Sequence, residues 1–340
     1  MGQYIIRRLL TAIPTLLLIS FVIFAVLDLA PGDPTGALPE TIKPEVRQAI
    51  REAMGLDKPM PVKYALWIRQ FFVCEPLALL EENMDTNFTF DDSFCKLRLT
   101  SWGSRGTPVF DLISQRFPQT MWVVGSAYLL AILIAIPIGV ISATRQYSMF
   151  DQIGTFFSIV GYSLPTFFTG ILLIILFSVK LGWFPSIYDT NLEIRSWSTF
   201  VKQIKQMVLP VMVLGLFQAA AVARYTRSSM LDNLPLDYVR TVRAKGFREA
   251  YIVVRHVLRN SLIPVVTLIA LGIPAIFGGA IITEQIFKVN GLGQLLILSM
   301  QVNDIPVVQT LIFIFAVLVV GFNFIADIIY GFLDPRIRFE

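Results

Sequence analysis

The sequence predicts an all-α membrane protein with six transmembrane helices, on three observations. Hydrophobic residues fill 55% of its 340 positions and charged residues only 15%, too apolar a balance for a soluble domain. Cutting the chain at every Lys, Arg, Asp and Glu leaves six uncharged runs of 18 residues or more: 9–27, 117–144, 152–179, 206–223, 260–283 and 305–326. The runs lack the alternation of barrel strands. A helix crosses the hydrocarbon with about 20 apolar residues, and only helices or closed barrels satisfy their backbone there.

The first run follows Arg7 and Arg8. It is too long for the apolar region of a signal peptide and no small-x-small cleavage site follows it, so residues 1–29 are read as a retained span. Pro14 is tolerable there because neighbouring helices can satisfy the freed carbonyl. Residues 30–116 form a loop domain. It opens with the turn-rich Ala-Pro-Gly-Asp-Pro at 30–34, and Val46, Ile50, Ala53 and Met54 are spaced for an amphipathic helix over Pro44–Met54. A second helical piece is expected over Val62–Val73, and 74–106 reads as an irregular, acidic excursion. Cys74 and Cys95 are the only cysteines and share this loop. In an oxidising compartment their pairing would contribute about 3 kcal/mol; the alternative is two unrelated thiols. Asn87-Phe88-Thr89 matches a glycosylation sequon, a weak three-residue signal.

Residues 117–340 then carry the other five spans. Lys/Arg bias sets the orientation. With the N-terminus inside, the cytoplasmic pieces are the start, the link 145–151, the loop 224–259 and the tail from Asp334, which puts both termini in the cytoplasm. The loop 224–259 holds eight Lys/Arg against three Asp/Glu. The outside pieces are 28–116, 180–205 and 284–304; the first is too long for the rule to apply.

The basic loop has internal order. Pro235 suits the first turn of a helix and Asp237 its positive end. Tyr238, Val239 and Val242 recur at helical spacing, cations follow, and Gly246 fits a left-handed stop. A second helix is expected over Arg248–Arg259, with Ile252, Val253, His256 and Val257 near one stripe. Two readings compete on charge alone: a docking surface for a soluble partner, or a loop that holds topology and touches anionic lipid.

Polar residues near the spans are few. Tyr162, Ser163 and Gln218 are candidates for lining a pathway, against the commoner reading as helix–helix hydrogen bonds. Glu284, at the edge of the fifth run, fits a gate or a boundary carboxylate. Asn323 and Asp327 lie in or beside the last run, and pairing of Asp327 with a loop arginine is expected over solute contact. His256, the only histidine, has no cluster for a metal or catalytic role. A channel or secondary transporter would favour mid-membrane charges or a filter, which the six runs lack. No internal repeat is visible.

Set on Gly246, the loop resembles the coupling motif of the membrane subunits of ATP-binding-cassette importers. That motif runs Glu-Ala-Ala, three residues, Gly, nine residues, Ile-x-Leu-Pro. Here Arg240-Thr241-Val242 stands for Glu-Ala-Ala, and His256, Leu258 and Arg259 for Ile, Leu and Pro. Arg-Thr-x-Arg-Ala-Lys-Gly followed by Arg-His-x-Leu-Arg-Asn is similar to the B-type permease subunits of the dipeptide/oligopeptide/nickel family, whose C-type partners tend to keep the proline. Further likenesses are Ile-Arg-Arg-Leu at 6–9, the 30–34 turn, Gly-Leu-Asp-Lys-Pro at 55–59, Gly-Tyr-Ser-Leu-Pro at 161–165 and Thr-Arg-Ser-Ser-Met-Leu at 226–231. Asn-Ser-Leu-Ile-Pro-Val-Val-Thr at 260–267, Thr-Glu-Gln-Ile-Phe at 283–287, Asn-Gly-Leu-Gly at 290–293 and Asp-Pro-Arg-Ile-Arg at 334–338 complete them. Only about 72–104 falls outside, as an insertion.

The resemblance implies a type I importer fold in a bacterial or archaeal inner membrane. It implies a C-type permease partner, two cytosolic ATPases and an extracytoplasmic binding protein, with no nucleic acid. The cargo it implies is peptides, or oligosaccharides or nickel chelates. ATP and Mg would be used by the partner subunits; this chain has no Gly-x-x-x-x-Gly-Lys-Ser/Thr phosphate loop, and no cofactor of its own is expected. The implied ATPase-coupling residues are Asp237, Tyr238, Arg240, Thr241, Arg243, Ala244, Lys245, Gly246, Arg255, His256, Leu258 and Arg259.

Overall fold

The computed structural model describes residues 2–29, 45, 48, 57–84, 95, 98–104 and 106–333. The 30–34 turn, most of the expected helix 44–54, the Asn87 sequon and the tail from Asp334 lie outside them. Among the described residues the one β pairing is an isolated bridge between Thr100 and Pro108. Five helices are long and apolar enough to cross a membrane, or six if one sharply bent pair counts as a span. The chain divides into two compact units.

The first unit comprises Met1–Leu10, Pro118–Gln294 and Leu318–Glu340. Its axis is a 37-residue helix, α8 (Trp197–Asn233), about 55 Å long at the α-helical rise. The Ser196 side chain caps it, accepting from the Thr199 N–H. Helix α5 (Ser126–Thr144) packs on α8 through small residues at every fourth position, Ala127, Ala131, Ala135, Gly139 and Ala143, all of them buried. A Cβ on Gly139 would lie 2.6 Å from Thr226 Cβ and 2.7 Å from the Ala223 carbonyl oxygen. Close backbone approach of this kind is how apolar helices associate where no hydrophobic force separates them from lipid.

The expected third span is broken. Helix α6 (Met149–Ser163) and α7 (Thr166–Leu173), which runs on through a π-helical stretch Ile174–Lys180, meet at 109°. The break is chemical: Pro165 has no N–H to donate, and it forces Leu164 into an extended conformation with ψ 130°. At the other end of α6 the carboxylate of Asp151 takes two hydrogen bonds from Arg227 of α8, at 2.7 and 2.8 Å. Asp327, on α13 (Ile305–Leu333), pairs with an arginine as expected, but that arginine is Arg8 of α1 (Gly2–Leu29) at 3.1 Å, not one from the basic loop.

The second unit comprises Thr11–Phe117 and Leu295–Val317. Helix α2 (Met60–Arg69) passes through a π-turn, Gln70–Cys74, into α3 (Glu75–Met84). The helical piece therefore extends past Val73, and the start of the supposed irregular excursion is helix. Phe24, Trp67 and Phe313 form a buried cluster, with Trp67 edge-on to Phe313 at 5.7 Å. Cys74 and Cys95 are joined in a disulfide, with Cα atoms 5.4 Å apart. Beside it the buried Glu75 carboxylate accepts from Leu99 N–H and, at 3.1 Å, from Gln70 Nε2, with Arg98 at 3.5 Å. Residues 98–104 are thus tied back onto the helix. Asp304 holds the same turn: it accepts from the Ser101 hydroxyl and from the N–H groups of Trp102 and Gly103 at 3.1 and 3.0 Å.

Candidate functional site

The basic loop leaves α8 through a fixed corner. Asn233 Nδ2 donates to the Ser229 carbonyl at 2.8 Å, and the Tyr238 hydroxyl donates to Asn233 Oδ1 at 3.2 Å. Pro235 precedes the next helix rather than opening it: α9 spans Asp237–Ala244, with Leu236 at its N-cap. The helix ends at Gly246, whose φ of 79° is the left-handed conformation that only glycine adopts without strain. After the turn come α10 (Glu249–Ile252), a π-helical stretch Val253–Val257 and α11 (Leu258–Phe287). The second helix therefore begins one residue after Arg248 and runs unbroken into the fifth span.

Two faces follow. Val239, Ile252, Val253 and Val257 are buried with Ala143 and Met230 in one apolar cluster. That cluster fastens the loop to α5 and α8, and covalent continuity fastens it to α11. Outward, Asp237, Arg240, Thr241, Arg243, Ala244, Lys245, Gly246, Arg255 and Arg259 are exposed, while Tyr238, His256 and Leu258 are half-buried. Arg243 bridges the glycine turn to Glu249 at 2.6 Å, and this hydrogen bond raises the guanidinium pKa further above its ordinary value. Sequence reasoning missed an aromatic pair on this outer face. Phe247 stacks on Tyr251 at 5.2 Å, and Tyr251 meets His256 edge-on at 5.7 Å. The signal was present: two aromatics four apart, directly after the glycine.

The five pathway candidates are not brought together. Gln218 of α8 faces α11, its Nε2 2.8 Å from where a Cβ on Gly272 would be, which is the helix–helix reading. Asn323 is exposed on α13. Tyr162 and Ser163 are exposed at the α6–α7 bend. There Tyr162 stacks on Phe217 at 5.4 Å and 12°, with the Arg224 guanidinium 5.4 Å over its ring.

Glu284 lines no open face; it is fully buried. Its carboxylate accepts at 2.8 Å from the hydroxyl of Thr120, the last residue of α4 (Val109–Thr120), and at 2.9 Å from Gln294 N–H. Thr120 Oγ1 in turn accepts from Leu292 N–H at 2.8 Å. Together they satisfy the first turn of α12 (Leu292–Gln301), where a negative charge also suits the helix dipole. A Cβ on Gly291 would fall 2.2 Å from Glu284 Oε1, and one on Gly293 2.6 Å from Ile281 Cα. The glycines of Asn-Gly-Leu-Gly are there because the carboxylate and a neighbouring backbone occupy that space. Nearby, Tyr188 of the 181–196 loop donates to Gln119 Oε1 at 2.8 Å, and burial pushes its hydroxyl pKa up.

Comparison with known proteins agrees with this architecture. The family described as binding-protein-dependent transport system inner membrane component matches residues 135–339, and its N-terminal component matches residues 1–124. The oligopeptide transport system permease protein AppB of Bacillus subtilis (strain 168) is 39% identical over the whole of both chains. The glutathione transport system permease protein GsiC of Salmonella choleraesuis (strain SC-B67) is 34% identical, again over the whole of both. A putative peptide permease protein of Brucella suis biovar 1 (strain 1330) is 35% identical over 99% of each. With its five or six apolar spans, this chain belongs to the inner-membrane components of binding-protein-dependent transport systems, the multi-pass permease subunits of ATP-binding-cassette importers.

Proposed function

We propose that the chain is the B-type half of a peptide importer, and that the loop 237–259 receives the motion of a cytosolic ATPase. One observation carries the reading: the loop is anchored on its inner face and, among the described residues, exposed on its outer face. Val239, Ile252, Val253 and Val257 lock it to Met230 and Ala143, so displacement of the loop displaces α8 and α11 with it. The outer face offers cations and the Phe247–Tyr251 pair, an aromatic anchor within a charged rim of the kind that protein interfaces favour. Lipid contact alone leaves the anchored, glycine-hinged geometry without a purpose.

ATP and Mg belong to the ATPases in this scheme, and a binding protein delivers solute from the opposite side. Both termini and the loop are then cytoplasmic. The exposed Arg259 in the place of the motif proline supports a C-type partner completing the pore. Residues 30–116 form the extracytoplasmic part, with 117–340 as the permease core. Peptides are the cargo read from relatives whose names specify oligopeptides, glutathione and peptides. The test is ATP hydrolysis by the purified complex with its binding protein, across candidate solutes. Stimulation by short peptides is expected, and stimulation only by sugars or nickel chelates would overturn the cargo.

A further inference from the structure

Arg224 and Tyr162 form a cation–aromatic pair beside the α6–α7 bend. Helix α8 is the most enclosed of the helices long and apolar enough to span a membrane. Its exposed residues nevertheless include Phe217, Arg224 and Ser228, which recur at helical spacing. Arg224 forms no ion pair with any described residue; its contact is the ring of Tyr162. That ring is held flat by its stack on Phe217.

The direction in which Arg224 reaches decides between explanations. Its neighbour one turn on, Arg227, grips Asp151 in the first turn of α6. Tyr162 lies eleven residues further along α6, about 16 Å at the α-helical rise. The contacts of the two arginines therefore diverge along α6. Arg227 secures the end of the unit that bears the basic loop, and Arg224 reaches away from it, toward the Leu164–Pro165 break. An arginine seeking lipid headgroups at a helix end extends the other way. A guanidinium laid on an aromatic face keeps its edge N–H groups free, and that edge matches a carboxylate with two parallel hydrogen bonds.

We propose that Arg224, positioned by Tyr162 and Phe217, binds the α-carboxylate of a peptide in transit. This rests on the peptide reading above and deepens it. An importer of many peptides cannot rely on side chains, and the terminal carboxylate is common to every linear peptide. One exposed contact of this kind discriminates without holding the cargo tightly, as passage requires.

The test uses the complete importer, with its partner permease, ATPases and binding protein, in proteoliposomes. Uptake of a tripeptide and of its C-terminal amide is measured, each preloaded on the binding protein at saturation. Arg224→Gln is expected to slow the free acid roughly tenfold, while the amide, already slow in the unmodified importer, stays as it was. Tyr162→Leu, which keeps the charge but removes its platform, is expected to lower the same acid-over-amide ratio by roughly threefold. Equal slowing of acid and amide would assign Arg224 to packing or to an acid on the partner permease and overturn the site, as would unchanged uptake of both. If the unmodified importer carries neither peptide, the peptide reading fails and takes this site with it.

Discussion

Charged groups in the basic loop and in the disulfide-stapled unit are used in opposite ways. Asp237 and Arg240 form a pair that is 96% and 71% exposed, and the cations around Gly246 are turned outward. Glu75 and Asp304 are 0% and 2% exposed, and their oxygens are taken up by backbone N–H groups, a hydroxyl, an amide and an arginine. Exposed pairs of this kind contribute little to folding; buried, hydrogen-bonded carboxylates are costly to disturb. The difference separates residues kept for a partner from residues consumed by the architecture. Glu284 shows how easily the two are confused, because a carboxylate at the end of an apolar run reads as a gate until its hydrogen bonds are seen.

Removing a buried carboxylate should have the largest effect. Asp304→Ala leaves the Trp102 and Gly103 N–H groups without their acceptor, and we expect a loss of about 3–5 kcal/mol in thermal unfolding of the purified complex. A change below about 1 kcal/mol would place Asp304 with the exposed loop charges instead. Replacing Cys74 and Cys95 by serine should cost about 3 kcal/mol, read as a lower melting temperature that reducing agent reproduces in the unmodified protein. Gly293→Ala forces a methyl group against the Ile281 backbone and should cost about 1–3 kcal/mol, with the melting temperature as readout. Arg240→Glu is at the other extreme. It should leave the melting temperature of the membrane subunit unchanged yet weaken copurification of the ATPases, because the side chain is exposed and its one ion pair among the described residues is with the likewise exposed Asp237.

What the sequence disclosed, and what it hid, follows the same physics. Uncharged length announces a span, so the six runs were readable from composition alone, and a glycine between two amphipathic stretches announces a left-handed turn, as Gly246 takes. The bend at Leu164–Pro165 was hidden because the run 152–179 contains no charge to mark it; proline in a membrane helix signals either a tolerated kink or a break. The α5–α8 seam was legible in hindsight, since Ala127, Ala131, Ala135, Gly139 and Ala143 recur every four residues. Asp304 and Glu284 could not be read, because their partners Ser101 and Thr120 are more than 160 positions away in the chain. Long-range polar closure leaves no local pattern.

Transmission of force through the loop is probed most directly by Gly246→Val. A Cβ there meets nothing within 4 Å, so the variant perturbs the left-handed turn without disturbing the membrane core; the strain is about 1–2 kcal/mol. In the reconstituted importer we predict a correctly folded membrane subunit whose ATPases either dissociate or hydrolyse ATP without responding to peptide-loaded binding protein. Peptide-stimulated hydrolysis and uptake at the unmodified level would contradict the claim that this loop couples the two.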